Sequence, residues 1–291
     1  MRVADSTGNG RPATVRATVD AWDGDRQLSR VDSLAAEEPL EIRLAGCSVA
    51  VTMRTPGDDF DLAAGFLLTE GIIRDWADIA SISHCPSNDS ADAGNIVNIN
   101  PRNPEIVDPE RWRRNFFATS SCGICGKASI AAIKQEAAPI DSHSTVESRT
   151  LYALDSKLRQ AQDVFAQTGG LHAAGLFDSQ GTLLAVREDV GRHNAVDKVI
   201  GQAVRSRKIP LHDHMLVVSS RGSFEIVQKA LMAGIPMVAA VSAPSSLAVE
   251  LARSTGMTLL GFLRSNGDGS GRFNVYAGAE RITRNAGEQI R

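Results

Sequence analysis

The chain has 291 residues, enough for about two domains of the usual size. Its 31 basic residues against 34 acidic ones give a net charge of −3, and 43% hydrophobic with 22% charged residues is an ordinary globular composition, without the basic excess that drives nucleic-acid binding. The best apolar run, Met237 to Ala243, falls far short of the roughly 18 residues of a membrane helix, and the first thirty residues are charged throughout, without the apolar core of a secretory leader. A cytoplasmic, reduced chain is therefore expected, in which the four cysteines are thiols, metal ligands or nucleophiles. Six of the 31 basic residues are lysine, leaving 25 arginines, the residue best suited to bidentate recognition of phosphate and carboxylate; genome composition accounts for such a bias equally well.

Residues 1–35 mix Gly, Ser, Thr, Arg and Asp without sustained periodicity and are expected to form a flexible N-terminal arm with one strand at Ala13 to Val19. An α+β module is expected over residues 36–117. In it Leu40, Ile42 and Leu44 alternate with polar neighbours, Ala45-Gly46 can turn the chain, and Val49, Val51 and Met53 alternate again, the pattern of a hairpin. Pro56-Gly57 ends that strand, and Asp58 or Asp59 can cap a helix from Phe60 to Thr69 that stops at Gly71. Ile96 to Asn100 reads as a strand ended by Pro101. A mobile loop holding a Cys-x-x-Cys pair, with a linker, is expected over residues 118–150.

Residues 151–291 are expected to form a nucleotide-binding or cofactor-binding domain. Leu151, Leu154, Leu158, Ala161, Val164 and Phe165 make one helical face, stopped by Gly169-Gly170. Strands at Leu171 to Phe177 and Leu183 to Val186 form a hairpin. Helices (Asn194 to Arg205, Phe224 to Ala233, Ser246 to Ser254) then alternate with strands (Met215 to Ser219, Met237 to Val241, Thr258 to Leu263), and a last strand runs from Arg272 to Tyr276. Such alternation with continuous apolar strands predicts an α/β fold, a sheet covered by helices on both faces.

Ligands of such sheets sit outside the carboxyl ends of the parallel strands, and here those ends carry dense polar clusters. They are Arg187-Glu188-Asp189-Val190-Gly191-Arg192-His193, Ser220-Arg221-Gly222-Ser223, Ser242-Ala243-Pro244-Ser245-Ser246 and Arg264-Ser265-Asn266-Gly267. Ser and Asp at such places serve as helix caps, but capping does not need Arg192, Arg221 and Arg264 on one rim. Three arginines beside three helix starts point to a polyanionic ligand, most simply a nucleotide or pyrophosphate. Glu188 and Asp189 can accept hydrogen bonds from a base or ribose, or pair with Arg192. His193 lies on the rim as an acid or phosphate donor, His172 reads as a satisfied core histidine, and His84, His143, His212 and His214 are expected at the surface.

Cys122 and Cys125 sit in Thr119-Ser120-Ser121-Cys122-Gly123-Ile124-Cys125-Gly126-Lys127. Small neighbours leave both sulfurs accessible, and a thiol beside Lys127 near a helix start has a lowered pKa, about 3.5–7.5 for such pairs. A structural zinc site wants four ligands, and Cys47 and Cys85 supply no second pair. A thioredoxin-type dithiol follows a strand, whereas this pair follows an Arg-rich stretch. A loop thiol of this kind is suited to accepting a sulfur atom as a persulfide and passing it on.

The run Ser120-Ser121-Cys122-Gly123-Ile124-Cys125-Gly126-Lys127 resembles the signature of the FdhD family, the formate dehydrogenase accessory sulfurtransferases. So do Glu38-Pro39-Leu40, Met53-Arg54-Thr55-Pro56-Gly57-Asp58-Asp59, Gly170-Leu171-His172, Glu188 through Lys198, Ser219 through Glu225, and Gly261-Phe262-Leu263-Arg264. The resemblance implies a cytidine-deaminase-like mixed sheet covered by helices, with a smaller N-terminal α+β module, and a homodimer. It also implies a persulfide on Cys122 assisted by Cys125, with sulfur supplied by a cysteine desulfurase. The cofactor bound would be Mo-bis(molybdopterin guanine dinucleotide) or its tungsten form, destined for the catalytic subunit of a formate dehydrogenase. Its cofactor-binding positions carry over to Phe262, Leu263, Arg264, Ser265, Asn266 and Gly267, although Ser265 to Gly271 is longer than the usual link. Arg221 and Arg264 are then expected on phosphates and Asp189 on the guanine edge, with Arg192 and His193 beside them.

Two other readings compete. Zinc-dependent deaminases combine His-x-Glu with Pro-Cys-x-x-Cys, but His172-Ala173-Ala174 lacks the Glu and Ser121 stands where Pro would be. A chaperone that protects the dinucleotide without moving sulfur would leave Cys122 free of persulfide.

Overall fold

The structure is a computed structural model that describes residues 11–85, 94–106 and 139–284. Strands β1 (Thr14–Asp23) and β2 (Arg26–Ala35) pair antiparallel in unbroken register from Thr14↔Ala35 to Asp23↔Arg26. Gly24 opens the turn at φ 57°, the first-position glycine that tight hairpins favour. Residues 14–35 thus form a two-stranded hairpin, where the sequence suggested a single strand at Ala13 to Val19. Their polar composition conceals the alternation of Val15, Ala17, Val19 and Ala21 along one face.

The second sheet has the order β4-β3-β6-β5, from β3 (Glu38–Leu44), β4 (Cys47–Arg54), β5 (Ile79–His84) and β6 (Ile96–Pro101). The expected hairpin of β3 and β4 turns at Ala45-Gly46, and Leu40, Ile42 and Leu44 are fully buried on its inner face. Helix α1 (Asp59–Thr69) packs there. Asp58 holds the N-cap position but has a left-handed φ of 55° and makes no cap bond. Its carboxylate lies 3.3 Å from Arg187 instead. His84, expected at the surface, stacks on Phe60 at 4.7 Å with both ring nitrogens buried.

The expected single helix over Leu151 to Phe165 is three short ones, α2 (Ser148–Leu151), α3 (Leu154–Gln160) and α4 (Asp163–Thr168). The last break has a visible cause. Glu188, from a distant strand, accepts the backbone N–H groups of Val164 and Phe165 at 2.9 and 2.7 Å, and so starts a new helix where the old one would have continued. Gly169, at φ 66°, ends α4 as expected.

The largest sheet has the order β13-β12-β11-β10-β8-β9. Its strands are β8 (His172–Asp178), β9 (Leu183–Asp189), β10 (His214–Val218), β11 (Met237–Ala240), β12 (Thr258–Ser265) and β13 (Gly271–Ala277). Its centre, β10-β11-β12, is parallel, and β8, β9 and β13 run antiparallel to their neighbours. Helices α5 (Arg192–Arg205), α6 (Phe224–Met232) and α7 (Ser246–Ser254) follow β9, β10 and β11. Because side chains alternate along a strand, Ala174, Leu216, Val218 and Val238 enter one core with α1, α5, α6 and α7, while Phe177, Val217, Ala239 and Leu260 enter a second core with α2 and α3. The mixed α/β sheet covered by helices is therefore as expected. A short parallel pair, β7 (Val146–Glu147) with β14 (Ile282–Thr283), lies beside the second core. Among the described residues no helix is long and apolar enough to cross a membrane.

Candidate functional site

The strand directions bring the ends of β9 to β12 and the starts of β8 and β13 to one edge of the large sheet. A cleft of about 580 Å³ opens there between the sheet edge and helices α3 and α4, a volume typical of small-ligand sites. Arg159, Phe165, His172, Ser219 and Arg264 are among its walls.

Arg264 is aimed by an irregularity in β12. Pairing with β13 slips between Gly261 and Arg264, and Phe262 takes a left-handed φ of 55° within the strand. The Phe262 N–H donates to the Ser242 carbonyl at 3.2 Å, tying this bulge to the loop after β11. Arg264 then folds back so that Nη1 donates to the carbonyls of Val241 and Leu263, leaving Nε and Nη2 for another acceptor. Bulges re-aim side chains at sites in this way. Phe262 is 43% exposed, whereas Leu263 is fully buried in the core. The Leu263 side chain belongs to the second core and is not among the cleft walls. Ser265 donates its N–H to Asp155, another wall residue, at 3.0 Å. Asn266 and Gly267 belong to a self-contained turn in which Asn266 N–H donates to the Ser270 carbonyl and Gly267 N–H to Ser265 Oγ.

The opposite wall comes from the short helices. The Arg159 guanidinium lies over the Phe165 ring at 4.4 Å, which holds an exposed cation at the mouth of the cleft. His172, read as a core histidine, is half-buried at the first position of β8 and lines the cleft. Burial and then nearby Arg192 push its pKa below the ordinary value, against the pull of Asp189, so it serves as a neutral donor or acceptor.

The rest of the predicted rim does not line this cleft, although Arg192 lies close to its His172 wall. Arg221 is exposed in the turn before α6, and Arg192 and His193 begin α5. His193 lies 3.8 Å from the Glu225 carboxylate. Burial, followed by Lys229 and Arg192, lowers its pKa to about 4. Arg192 Nε, His193 Nε2 and Ser223 Oγ are buried without a hydrogen-bond partner, and such atoms call for water or a ligand.

Asp189 is not available to a guanine edge. It is fully buried, with Lys198 Nζ at 2.7 Å and hydrogen bonds from the N–H groups of Thr55 and Gly191 and from Asn194 Nδ2. Glu188, for its part, neither pairs with Arg192 nor faces a base, because both its oxygens cap α4. Sequence placed these carboxylates at a strand end without showing which way they turn. Cys122 and Cys125 lie outside the described residues.

This combination of a mixed sheet, a cleft at its parallel edge and a Cys-x-x-Cys segment defines a class that the comparisons identify. The FdhD/NarQ family model matches residues 35–283, and the chain belongs to that family. The chain is 51% identical over 278 residues to the sulfur carrier protein FdhD of Mycobacterium tuberculosis, covering 93% of this chain and 99% of that protein. It is 50% identical over 279 residues to the protein of the same name from Streptomyces avermitilis, covering 94% and 96%. A solved structure from Desulfotalea psychrophila, provisionally described as a formate dehydrogenase accessory protein, has the same fold, with a TM-score of 0.72 at 24% identity over 94% of this chain and all of that one.

Proposed function

We propose that this chain is a sulfur carrier that acts on Mo-bis(molybdopterin guanine dinucleotide), or its tungsten form, on behalf of a formate dehydrogenase. The cleft at the parallel edge of the large sheet carries the reading. It offers two arginines, an aromatic ring and a neutral histidine in a volume that suits a nucleotide end, in a chain whose relatives at about half identity are named sulfur carriers.

The sulfur chemistry falls to Cys122. Its thiolate attacks the outer sulfur of a cysteine desulfurase persulfide; an S–S bond forms at Cys122, one breaks at the desulfurase, and the desulfurase thiolate leaves without net oxidation. Delivery as sulfide takes two electrons. Attack of the Cys125 thiolate on Cys122 Sγ supplies them, releasing the outer sulfur as hydrosulfide and leaving a Cys122–Cys125 disulfide for a cellular dithiol to reduce.

The test is mass spectrometry of the protein after incubation with a desulfurase and cysteine. One added sulfur atom mapped to Cys122, absent in Cys122→Ala, is the expected result. A Cys122→Ala protein that still activates a formate dehydrogenase fully would remove sulfur transfer by this residue and favour a chaperone.

A further inference from the structure

The cleft has arginines suited to an anion, yet Asp155 also stands in its wall, the one carboxylate among its described residues. It is the second residue of α3, where one turn of helix brings Arg159 to the same wall, and Gln162 follows at the junction with α4. Arg159 lies over Phe165, and among the described residues no cation pairs with Asp155. Its carboxylate is instead fixed at both oxygens, Oδ1 accepting the Ser156 N–H at 2.8 Å and Oδ2 the Ser265 N–H at 3.0 Å. Each oxygen keeps a lone pair for a further donor. Gln162 is 4% exposed, and its amide has no hydrogen-bond partner among the described residues, a cost that a ligand contact would remove. A carboxylate and a neutral amide are of no use to phosphates; they suit a group that offers donors and an acceptor side by side.

We propose that Asp155 and Gln162 select the base of the bound nucleotide as guanine. The inference rests on the reading of the cleft as a nucleotide site and adds the residues that set its specificity. Guanine carries two adjacent donors, the ring N–H and the 2-amino group, beside a carbonyl acceptor. The two fixed oxygens of Asp155 match the donor pair, the Gln162 amide N–H matches the carbonyl, and the stacked Arg159 and Phe165 offer a flat surface to the ring. Adenine has one donor beside a ring acceptor on that edge, so it would set a lone pair against the carboxylate. Asp155 thus takes the role that Asp189, buried against Lys198, is not free to play. The pterin end of the cofactor carries the same amino-oxo edge; the two arginines of the cleft favour the guanine end, which adjoins the diphosphate.

Calorimetric titration of the full chain with GDP, ADP, xanthosine diphosphate and neopterin tests the assignment. The wild-type protein should bind GDP at least about tenfold more tightly than ADP or neopterin. Xanthine replaces the 2-amino donor by an oxygen, and Asp155→Asn puts an amide donor opposite it. That variant should lose about tenfold in GDP affinity and gain about tenfold for xanthosine diphosphate, with an unchanged circular dichroism spectrum. Gln162→Leu should weaken GDP binding by about tenfold at unchanged or raised stability. A loss of stability with GDP affinity unchanged would remove Gln162 from the site. An equal loss of GDP and ADP affinity in Asp155→Asn would mean that the carboxylate holds the ribose, and would overturn base selection while leaving the cleft a nucleotide site. An unchanged ratio of GDP to xanthosine diphosphate affinity would do the same. Neopterin bound more tightly than GDP would put the pterin end here instead and overturn the guanine assignment. A folded wild-type chain that binds none of the four would overturn the nucleotide reading of the cleft as well.

Discussion

Gly65 of α1 and Gly201 of α5 meet where the two helices cross, so closely that a Cβ on Gly65 would lie 1.9 Å from the Asp197 carbonyl oxygen and one on Gly201 1.7 Å from that of Asp61. The crossing joins the four-stranded sheet with α1 to the six-stranded sheet. Backbone would have to move to admit a methyl group, so Gly201→Ala should cost at least about 3 kcal/mol, the upper end of overpacking. Urea denaturation measures it, and a loss below about 1 kcal/mol would mean that the helices separate freely. Gly65→Ala should behave alike, and the double variant should lose less than the two together, since one helix separation accommodates both.

Asp189 and Lys198 form a buried pair beside this crossing, with Lys198 Nζ also donating to the Thr55 carbonyl at 2.8 Å. Removing one charge strands the other, so Asp189→Asn should destabilise the fold by about 3–5 kcal/mol. GDP affinity per folded molecule should stay at the wild-type value. A selective loss of GDP binding at unchanged stability would return Asp189 to the ligand.

The order of strands and helices in the second half was legible because the strands are continuous apolar runs and the helices are amphipathic at the right period. Two features were not. The break before α4 depends on Glu188, whose carboxylate arrives from a strand more than twenty residues away, and no local pattern announces it. The site was half legible for the same reason. Strand ends identified the edge, and Arg264 is in the cleft, yet Asp189 turns into the core and His172 turns out of it. Alternation gives the face of a strand residue but not whether a helix covers that face at its last position.

His193 gives a pH signature. Its folded pKa of about 4 lies below the ordinary value of 6.5, chiefly through burial. Between those values the unfolded chain binds a proton that the folded chain does not, so stability falls as pH drops from about 6.5 towards about 4, by on the order of 3 kcal/mol. His193→Gln should flatten the dependence over that window. His172 and His214 shift in the same direction, burial again being the largest cause, so the comparison is between variant and wild type rather than on the absolute slope. A His193 ring resonance that titrates near 6.5 would sink the argument.

Phe262 and Arg264 separate strain from function. A left-handed φ costs an L-residue about 1–2 kcal/mol, and the exposed Phe262 ring recovers little of that by burial. Phe262→Gly should therefore hold stability or raise it by about 1 kcal/mol, glycine's larger unfolded-state entropy offsetting part of the relief. If the ring and the re-aimed guanidinium exist to meet a nucleotide, GDP affinity should fall about tenfold in Phe262→Gly and at least as far in Arg264→Ala. Arg264→Lys should not restore it, because a single ammonium cannot hold the Val241 carbonyl and a phosphate in the same fork. Calorimetric titration with GDP decides the matter. Unchanged affinity in both Phe262→Gly and Arg264→Ala, with the fold intact, would place the dinucleotide somewhere other than this cleft.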